Sequence, residues 1–153
     1  FSMIPALKNA DFVRYGVMHR NTYLRSPGML DRYYRLIADD RIAFAGQMTG
    51  VEGYIESAAS GILAGQNLAR RMQGKAPLIL PRETMMGALA AYISDETVAQ
   101  FQPMGCNMGI LPELPERIRD KREKYQAYAD RALAALDAYL QQTAENTTEG
   151  EGQ

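Results

Sequence analysis

The chain has few of the side chains that redox and disulfide-bonded proteins use. Its 153 residues include one cysteine, Cys106, one histidine, His19, and no tryptophan. A single thiol excludes an internal disulfide, which indicates a reducing compartment. We also find no pattern that would predict a metal site.

A large net charge and a long hydrophobic run are also missing. The formal net charge is −1 at pH 7, so nucleic acid or a membrane would have to be attracted by a local patch. No segment has the length and apolar character of a membrane span, and the N-terminus has no signal-peptide pattern. Because 46% of the residues are hydrophobic, the chain is expected to fold. We therefore expect a cytoplasmic protein with no membrane partner.

What the chain does have is a glycine-rich turn between a short apolar run and a small-residue helix, in the segment RIAFAGQMTGVEGYIESAASGILAGQNLARR at residues 41–71. Gly46, Gly50 and Gly53 can adopt positive φ and let a flat ligand or a phosphate approach the backbone. The N–H groups at the start of the following helix have no intrahelical partner and carry partial positive charge. These features predict a cofactor site, although the same pattern also occurs in a closely packed strand, turn and helix without a ligand.

The rest of the chain divides into short extended segments followed by helices. Residues 12–24 have the composition of one or two strands, and residues 29–37 are either a short strand or a connector. Asp39 and Asp40 predict a turn into a strand at 42–45. Helical spacing and stop signals predict helices over about 55–72, ending at Gly74, and over 81–94 and 113–142. The tail 143–153 lacks large apolar residues and is expected to be disordered.

Four stretches carry a resemblance to a known family. The segment FAGQMTGVEGYIESAASGILAG resembles the last strand, turn and helix of the FAD domain in the folate- and FAD-dependent tRNA (uracil-5-)-methyltransferases. It is more loosely similar to the related flavoprotein that modifies tRNA uridines with carboxymethylaminomethyl groups. The stretches FVRYGVMHRNTYL, FQPMGCNMGILP and ERIRDKREKY also resemble the C-terminal half of the methyltransferases, in the same order.

This resemblance implies a fold class. The chain would be an α/β protein, the C-terminal portion of an FAD-binding Rossmann-type flavoprotein of the glutathione-reductase-like kind, with a largely α-helical C-terminal region. Its parts would be the end of an inserted, substrate-side region at 1–36, the last strand, turn and helix of the FAD domain at 37–76, a helical region at 77–142 and the tail at 143–153.

The resemblance also implies an activity. The family transfers a one-carbon unit from methylenetetrahydrofolate to C5 of a uridine in the tRNA T-loop and reduces it with FADH₂, which NAD(P)H regenerates. The dinucleotide-binding GxGxxG turn and the catalytic cysteines of the family are expected upstream of Phe1. We therefore expect no catalytic residue in this chain, and expect it by itself to bind FAD weakly and to be inactive.

Candidate site residues follow from matching the motifs. The residues expected to bind FAD are Gly46, Gln47, Gly50, Val51, Glu52, Gly53 and Tyr54. His19 is expected to stack on the folate pteridine ring, and Arg20 and Asn21 either bind the polar parts of folate or cap a strand. Tyr54 either covers the flavin or packs into the core. Glu52 and Glu56 are expected mainly to complement the helix dipole.

Two further features have competing interpretations. Cys106 has no neighbour in the sequence that would favour a thiolate, so we expect it to be a packing residue. Arg117, Lys121 and Lys124 belong to a basic run interrupted by acidic residues. The run is either a solvated helix face with i,i+4 ion pairs or a surface that contacts tRNA phosphates. For the chain as a whole, the alternatives to the methyltransferase are a non-catalytic helical binding or scaffold module and a fragment of a related tRNA-uridine-modifying flavoprotein.

Overall fold

The computed structural model describes residues 1, 3–11, 13, 16 and 21–150, with only the backbone described for 144–150. Over these residues the chain forms a two-stranded antiparallel sheet and three α-helices, joined by loops and short 3₁₀ turns. The strands are β1 (Arg35–Leu36) and β2 (Asp39–Ala43), and the helices are α1 (Tyr54–Met72), α2 (Met85–Ser94) and α3 (Lys121–Gly150). In the described part of the chain, no helix has the length and apolar character needed to cross a membrane.

The sheet begins earlier than the sequence predicts. Asp39 and Asp40 lie in β2 rather than in a turn before it, and the segment 29–37 contains β1 at its end. The two aspartates can occupy an exposed strand because each forms an ion pair, Asp39 with Arg41 and Asp40 with Arg71. These pairs offset the low strand propensity of aspartate.

Helix α1 confirms the expected helix over 55–72 and its end at Gly74. Gly74 has φ of 68°, and the N–H of Lys75 donates to the carbonyl of Arg70 at 2.8 Å. A glycine in the left-handed region just after a helix is the arrangement that satisfies the last carbonyls. The signal is local, which is why the sequence predicts this end correctly.

Helices α2 and α3 both begin later than expected. Thr84 caps α2 by accepting a 3.0 Å hydrogen bond from the N–H of Gly87, so residues 81–84 form a turn rather than helix. Asp120 caps α3 by accepting 2.9 Å bonds from the N–H groups of Arg122 and Glu123. The periodic apolar residues at 113–120 therefore belong to a loop.

Helix α3 also ends later than the sequence predicts. The backbone remains helical to Gly150, whereas residues from 143 onward were expected to be disordered. The segment 144–149 contains no glycine or proline, so nothing in the backbone stops a helix that is already formed. Residues 151–153 lie outside the described part of the chain.

Two apolar clusters hold the elements together. The first joins the sheet region, the glycine turn, α1 and α2 through Tyr34, Val51, Ala64, Leu89, Ala90, Ile93 and Phe101. The second joins α2 to α3 through Ala88, Leu111 and Tyr128. The glycine turn is therefore packed against the sheet region, α1 and α2, and these contacts fix its position.

Candidate functional site

The glycine turn adopts the backbone that its residues predict. Gly46, Gly50 and Gly53 have φ values of 64°, 84° and 98°, all in the region that favours glycine. Residues Gly46–Thr49 form a 3₁₀ turn, and Gly53 is the N-cap of α1. The turn therefore delivers the chain directly to the N-terminus of a helix.

Gly50 is also required for a close contact. Phe101 lies against it, and a Cβ built at Gly50 would be 2.8 Å from Cε1 of the ring and still closer to Cζ. Two backbone hydrogen bonds also join the turn to the loop that follows α2. The N–H of Met104 donates to the carbonyl of Gly50, and the carbonyl of Met104 accepts from the N–H of Glu52, both at 3.0 Å. The loop carrying Phe101 and Met104 thus holds the turn in place.

Ser60 of α1 fixes the first part of the turn, and it is a site-supporting residue that the sequence did not single out. The N–H of Gly46 donates to Oγ of Ser60 at 2.7 Å, and the hydroxyl of Ser60 donates to the carbonyl of Ser57 at 2.7 Å. Ser60 is completely buried. The S-x-x-S spacing in the sequence was a possible signal of this role, but only the tertiary structure places Gly46 within hydrogen-bonding distance of Ser60.

Replacing Ser60 with alanine is expected to leave the N–H of Gly46 without this acceptor. The loss of a buried partner costs about 1–3 kcal/mol, and the turn should become more mobile. Denaturant unfolding measures the first effect, and hydrogen exchange at Gly46 measures the second. Ser57→Ala keeps the Ser60 bond to Gly46 and to the carbonyl of residue 57, so it is the matched control. Equal exchange at Gly46 in both variants would contradict this role for Ser60.

A pocket of about 330 Å³ opens beside the turn. It is lined by Asn21, Gln47, Val51, Glu52, Gly53, Tyr54 and Ser57. Five of the seven residues expected to bind FAD are in this lining, together with one residue expected to bind folate. The structure therefore brings two separate sequence motifs to one cavity.

The lining residues contribute in different ways. Val51 is completely buried in the core, so neither its side chain nor its backbone is exposed to a ligand, whereas Tyr54 is 98% exposed. Tyr54 is therefore not a core residue, which was one of its two interpretations. The N–H groups of the first turn of α1 face the same end, as expected where a helix starts. This is a site with backbone donors and an exposed aromatic ring at its edge.

His19 and Arg20 lie outside the described residues, so the structure does not test where they are. Asn21 is described and lines the pocket. The expected strand over 12–24 also lies largely outside the described residues, and 21–24 is not in a strand. The N–H of Leu24 donates to the carbonyl of Met48 at 2.8 Å, and this bond ties the segment to the glycine turn.

A hydrogen bond joins Glu56, in the first turn of α1, to the backbone of Cys106. Oε1 of Glu56 accepts from the backbone N–H of Cys106 at 3.3 Å, so this carboxylate connects α1 to the 101–106 loop as well as lying near the helix N-terminus. Burial, with a further contribution from the charge of Glu56, raises the pKa of the Cys106 thiol. The thiol packs against the first apolar cluster, as expected of a packing residue.

The basic run is divided between two grooves. Arg117 and Lys124 line one of about 440 Å³, whereas Lys121 lines another of about 530 Å³. The ammonium groups of Lys121 and Lys124 lie 5.5 Å and 6.0 Å from the ring centres of Tyr125 and Tyr128. The ion pairs of the described residues are at Arg35, Arg41 and Arg71, so the run has no i,i+4 ion pair there. Within the described residues, no group of acidic, histidine and cysteine side chains is arranged to hold a metal ion.

Comparison with known proteins gives consistent matches. The family model described as glucose inhibited division protein A matches residues 1–76. The methylenetetrahydrofolate–tRNA-(uracil-5-)-methyltransferase TrmFO of Staphylococcus haemolyticus is 58% identical over 138 residues, which are 90% of this chain and 32% of that protein. The proteins of the same name from Enterococcus faecalis and Lactiplantibacillus plantarum are 59% and 55% identical, over 87% and 94% of the chain and 31% and 32% of their own lengths. The chain thus spans about a third of the length of these relatives.

Proposed function

Because the chain belongs to the methylenetetrahydrofolate–tRNA-(uracil-5-)-methyltransferase family, we propose that it is the C-terminal part of such an enzyme. The whole protein would transfer a one-carbon unit from methylenetetrahydrofolate to C5 of a T-loop uridine in tRNA. NAD(P)H would reduce its FAD. The fold would be the end of a Rossmann-type FAD domain followed by a helical region, with the divisions at 37 and 77 given above.

The observation that carries this proposal is the pocket in which Asn21 meets the glycine turn. In the family resemblance these two motifs face a folate and a flavin, respectively. Nothing in the sequence separation of Asn21 and Gly53 requires them to be neighbours. Their meeting at one cavity is what a site for two stacked heterocycles needs.

The residues of the turn fit a flavin. Gly53 lines the pocket without a Cβ, whereas Gly46 and Gly50 are not in its lining and shape the turn that leads to it. The N-terminus of α1 supplies donors and partial positive charge. A volume of about 330 Å³ is at the low end for a ligand site, so the pocket suits the ring end of FAD rather than the whole molecule. When bound, the flavin would supply the reducing electrons. Gln47, Glu52, Gly53 and Tyr54 would orient it and restrict the access of water.

Folate would lie on the opposite side of the same pocket. We propose that His19 stacks on its pteridine ring and that Arg20 and Asn21 bind its polar groups. The amide of Asn21 has both donor and acceptor atoms, which suits the mixed edge of a pterin. The tRNA would contact Arg117, Lys121 and Lys124, whose charges lie in neighbouring grooves without ion-pair partners among the described residues.

The test of the function starts from the reading frame on either side of this chain and from the whole protein that it encodes. We expect a yellow protein with flavin absorbance that methylates C5 of a tRNA uridine when methylenetetrahydrofolate and NAD(P)H are supplied. A whole protein without flavin and without this methylation would contradict the proposal and favour a non-catalytic binding module.

His19→Ala is expected to reduce folate-dependent methylation and folate affinity while leaving bound flavin in place. Aromatic stacking is worth about 0.5–1.5 kcal/mol beyond the buried area, so the dissociation constant for folate should rise about tenfold. Fluorescence titration with tetrahydrofolate measures this change, and His19→Phe is the control because it keeps a flat ring. Unchanged folate affinity in His19→Ala would show that the stacking role is wrong.

A further inference from the structure

A second cavity, of about 410 Å³, lies away from the glycine turn, and the proposed function does not use it. It is formed by residues on both sides of β1, by Arg82 just before α2, and by the C-terminal end of α2. Its lining residues are Leu30, Asp31, Arg32, Tyr33, Ile37, Arg82, Ala91, Ser94 and Asp95. Two arginines and a tyrosine are thus combined with an apolar floor.

The turn that carries Arg32 and Tyr33 is held rigidly. Asp31 accepts 2.9 Å bonds from the backbone N–H groups of Tyr33 and Arg35. Tyr34 is completely buried and has φ of 66°, a left-handed conformation that a bulky residue rarely adopts. A residue is kept in such a conformation only where its surroundings determine it, and such positions are concentrated at binding sites. The strained turn therefore fixes Arg32 and Tyr33 at the cavity.

The acidic residues of the cavity already have partners. The carboxylate of Asp31 forms a 3.0 Å ion pair with Arg35. One carboxylate oxygen of Asp95 accepts from both the N–H and the hydroxyl of Thr97, at 3.0 and 2.6 Å. The hydrogen bonds from Thr97, together with the nearby charge of Arg82, lower the pKa of Asp95.

The charge of Arg32 has no acidic partner among the described residues. Its Nε is buried and has no hydrogen-bond partner among the described residues. Arg82 is exposed and is not within ion-pair distance of an acid in the described part of the chain. Because Arg32 lines the cavity, an anion there can pair with the terminal nitrogens of its guanidinium group.

We propose that this cavity binds a phosphodiester group of the tRNA backbone, with Arg32 as the main ligand and Arg82 as the second. The guanidinium group of Arg32 offers a planar fork that matches two phosphate oxygens. The ring of Tyr33, which Arg35 covers on one side at 4.6 Å, offers a surface on which the neighbouring base can stack. A ring beside an arginine without an acidic partner fits a nucleotide chain better than it fits a free anion.

The proposal rests on the proposed function, because that function supplies tRNA as the substrate. Its test uses the whole protein that carries this chain, tRNA as the probe, and filter binding at several salt concentrations. Arg32→Gln is expected to weaken tRNA binding about tenfold and to lower the slope of log affinity against log salt by about 1. Arg82→Gln should act in the same direction with a smaller loss. Since Arg82 is exposed, this variant carries the test if Arg32→Gln does not fold.

Arg41→Gln is the matched control, because Arg41 is an exposed arginine outside the cavity whose charge is already paired with Asp39. Flavin absorbance and tetrahydrofolate affinity should not change in any of the three variants. If the parent protein binds no tRNA, the proposed function fails. If the parent binds tRNA and both Arg32→Gln and Arg82→Gln bind it equally well with the same salt slope, only the assignment of this cavity fails.

Adding inorganic phosphate distinguishes a phosphodiester of tRNA from a small free anion as the ligand of this cavity. The tRNA assignment expects 10 mM phosphate to leave the thermal midpoint of parent and Arg32→Gln unchanged at constant ionic strength, since one free phosphate lacks the stacking contact. A phosphate-dependent rise in the parent that Arg32→Gln abolishes, together with unchanged tRNA affinity in that variant, would assign the cavity to a small anion and overturn the proposal.

Discussion

Gly50→Ala is expected to destabilise the protein by about 2–5 kcal/mol and to remove flavin from the whole enzyme. A non-glycine residue at φ of 84° costs on the order of 1–3 kcal/mol. The new Cβ would also be only 2.8 Å from Cε1 of Phe101, and such overpacking typically costs about 1–3 kcal/mol. Phe101 is in the first apolar cluster and cannot move without opening it.

Gly74→Ala separates the two causes. Gly74 also has positive φ, 68°, but a Cβ there would meet no atom within 4 Å. This control should therefore show only the backbone cost, about 1 kcal/mol, and should retain flavin. Denaturant unfolding and the flavin spectrum measure both variants. If Gly50→Ala cost no more than Gly74→Ala, the contact with Phe101 would not constrain the turn.

Asn67→Ala is expected to cost about 2–5 kcal/mol. Asn67 is 2% exposed, and its amide forms both hydrogen bonds of a backbone-like pair with Leu78. Nδ2 donates to the carbonyl of Leu78 at 3.1 Å, and the N–H of Leu78 donates to Oδ1 at 2.7 Å. Removing the amide leaves two backbone groups without these partners, at about 1–3 kcal/mol each.

Gln66→Ala is the matched control for Asn67→Ala, because Gln66 is the preceding residue of α1 and its side chain is exposed. It should change the free energy of unfolding by less than about 0.5 kcal/mol. Thermal or urea unfolding measures both. Asn67→Asp is a second useful variant: it keeps an acceptor for the N–H of Leu78, but it loses the donor and buries a carboxylate facing the carbonyl of Leu78, so it should also be strongly destabilising. A result for Asn67→Ala close to that for Gln66→Ala would show that the segment after α1 does not depend on this pair.

The two variants test different supports of the same site. Gly50 and Phe101 fix the turn against the loop after α2, whereas Asn67 fixes the far end of α1 against the chain that leads to α2. Helix α1 is the element common to both, and its N-terminus forms one wall of the pocket. Loss of either support should therefore affect a bound flavin.

The sequence by itself determined the features that depend on local chemistry. It predicted the helix that became α1 and its end at Gly74, because a glycine C-cap and helical periodicity act within a few residues. It predicted positive φ in the turn, since only glycine adopts it at low cost. The motifs around Gly50 and Asn21 also carried the family resemblance. Local patterns misled at 113–120, where capping by Asp120 decided the start of α3, and at Asp39 and Asp40, which pair with the nearby Arg41 and the distant Arg71.

Only the tertiary structure decided which of these pieces meet. The Phe101 ring on Gly50, the Ser60 hydroxyl under Gly46, Asn21 in the same pocket as the turn, and Arg32 across a cavity from Arg82 all join residues far apart in the chain. Such contacts form because several elements bury their apolar faces against one another at once, and no single segment contains the information for that packing. The sequence thus specifies the chemical groups of the site, and burial of the shared core specifies their distances.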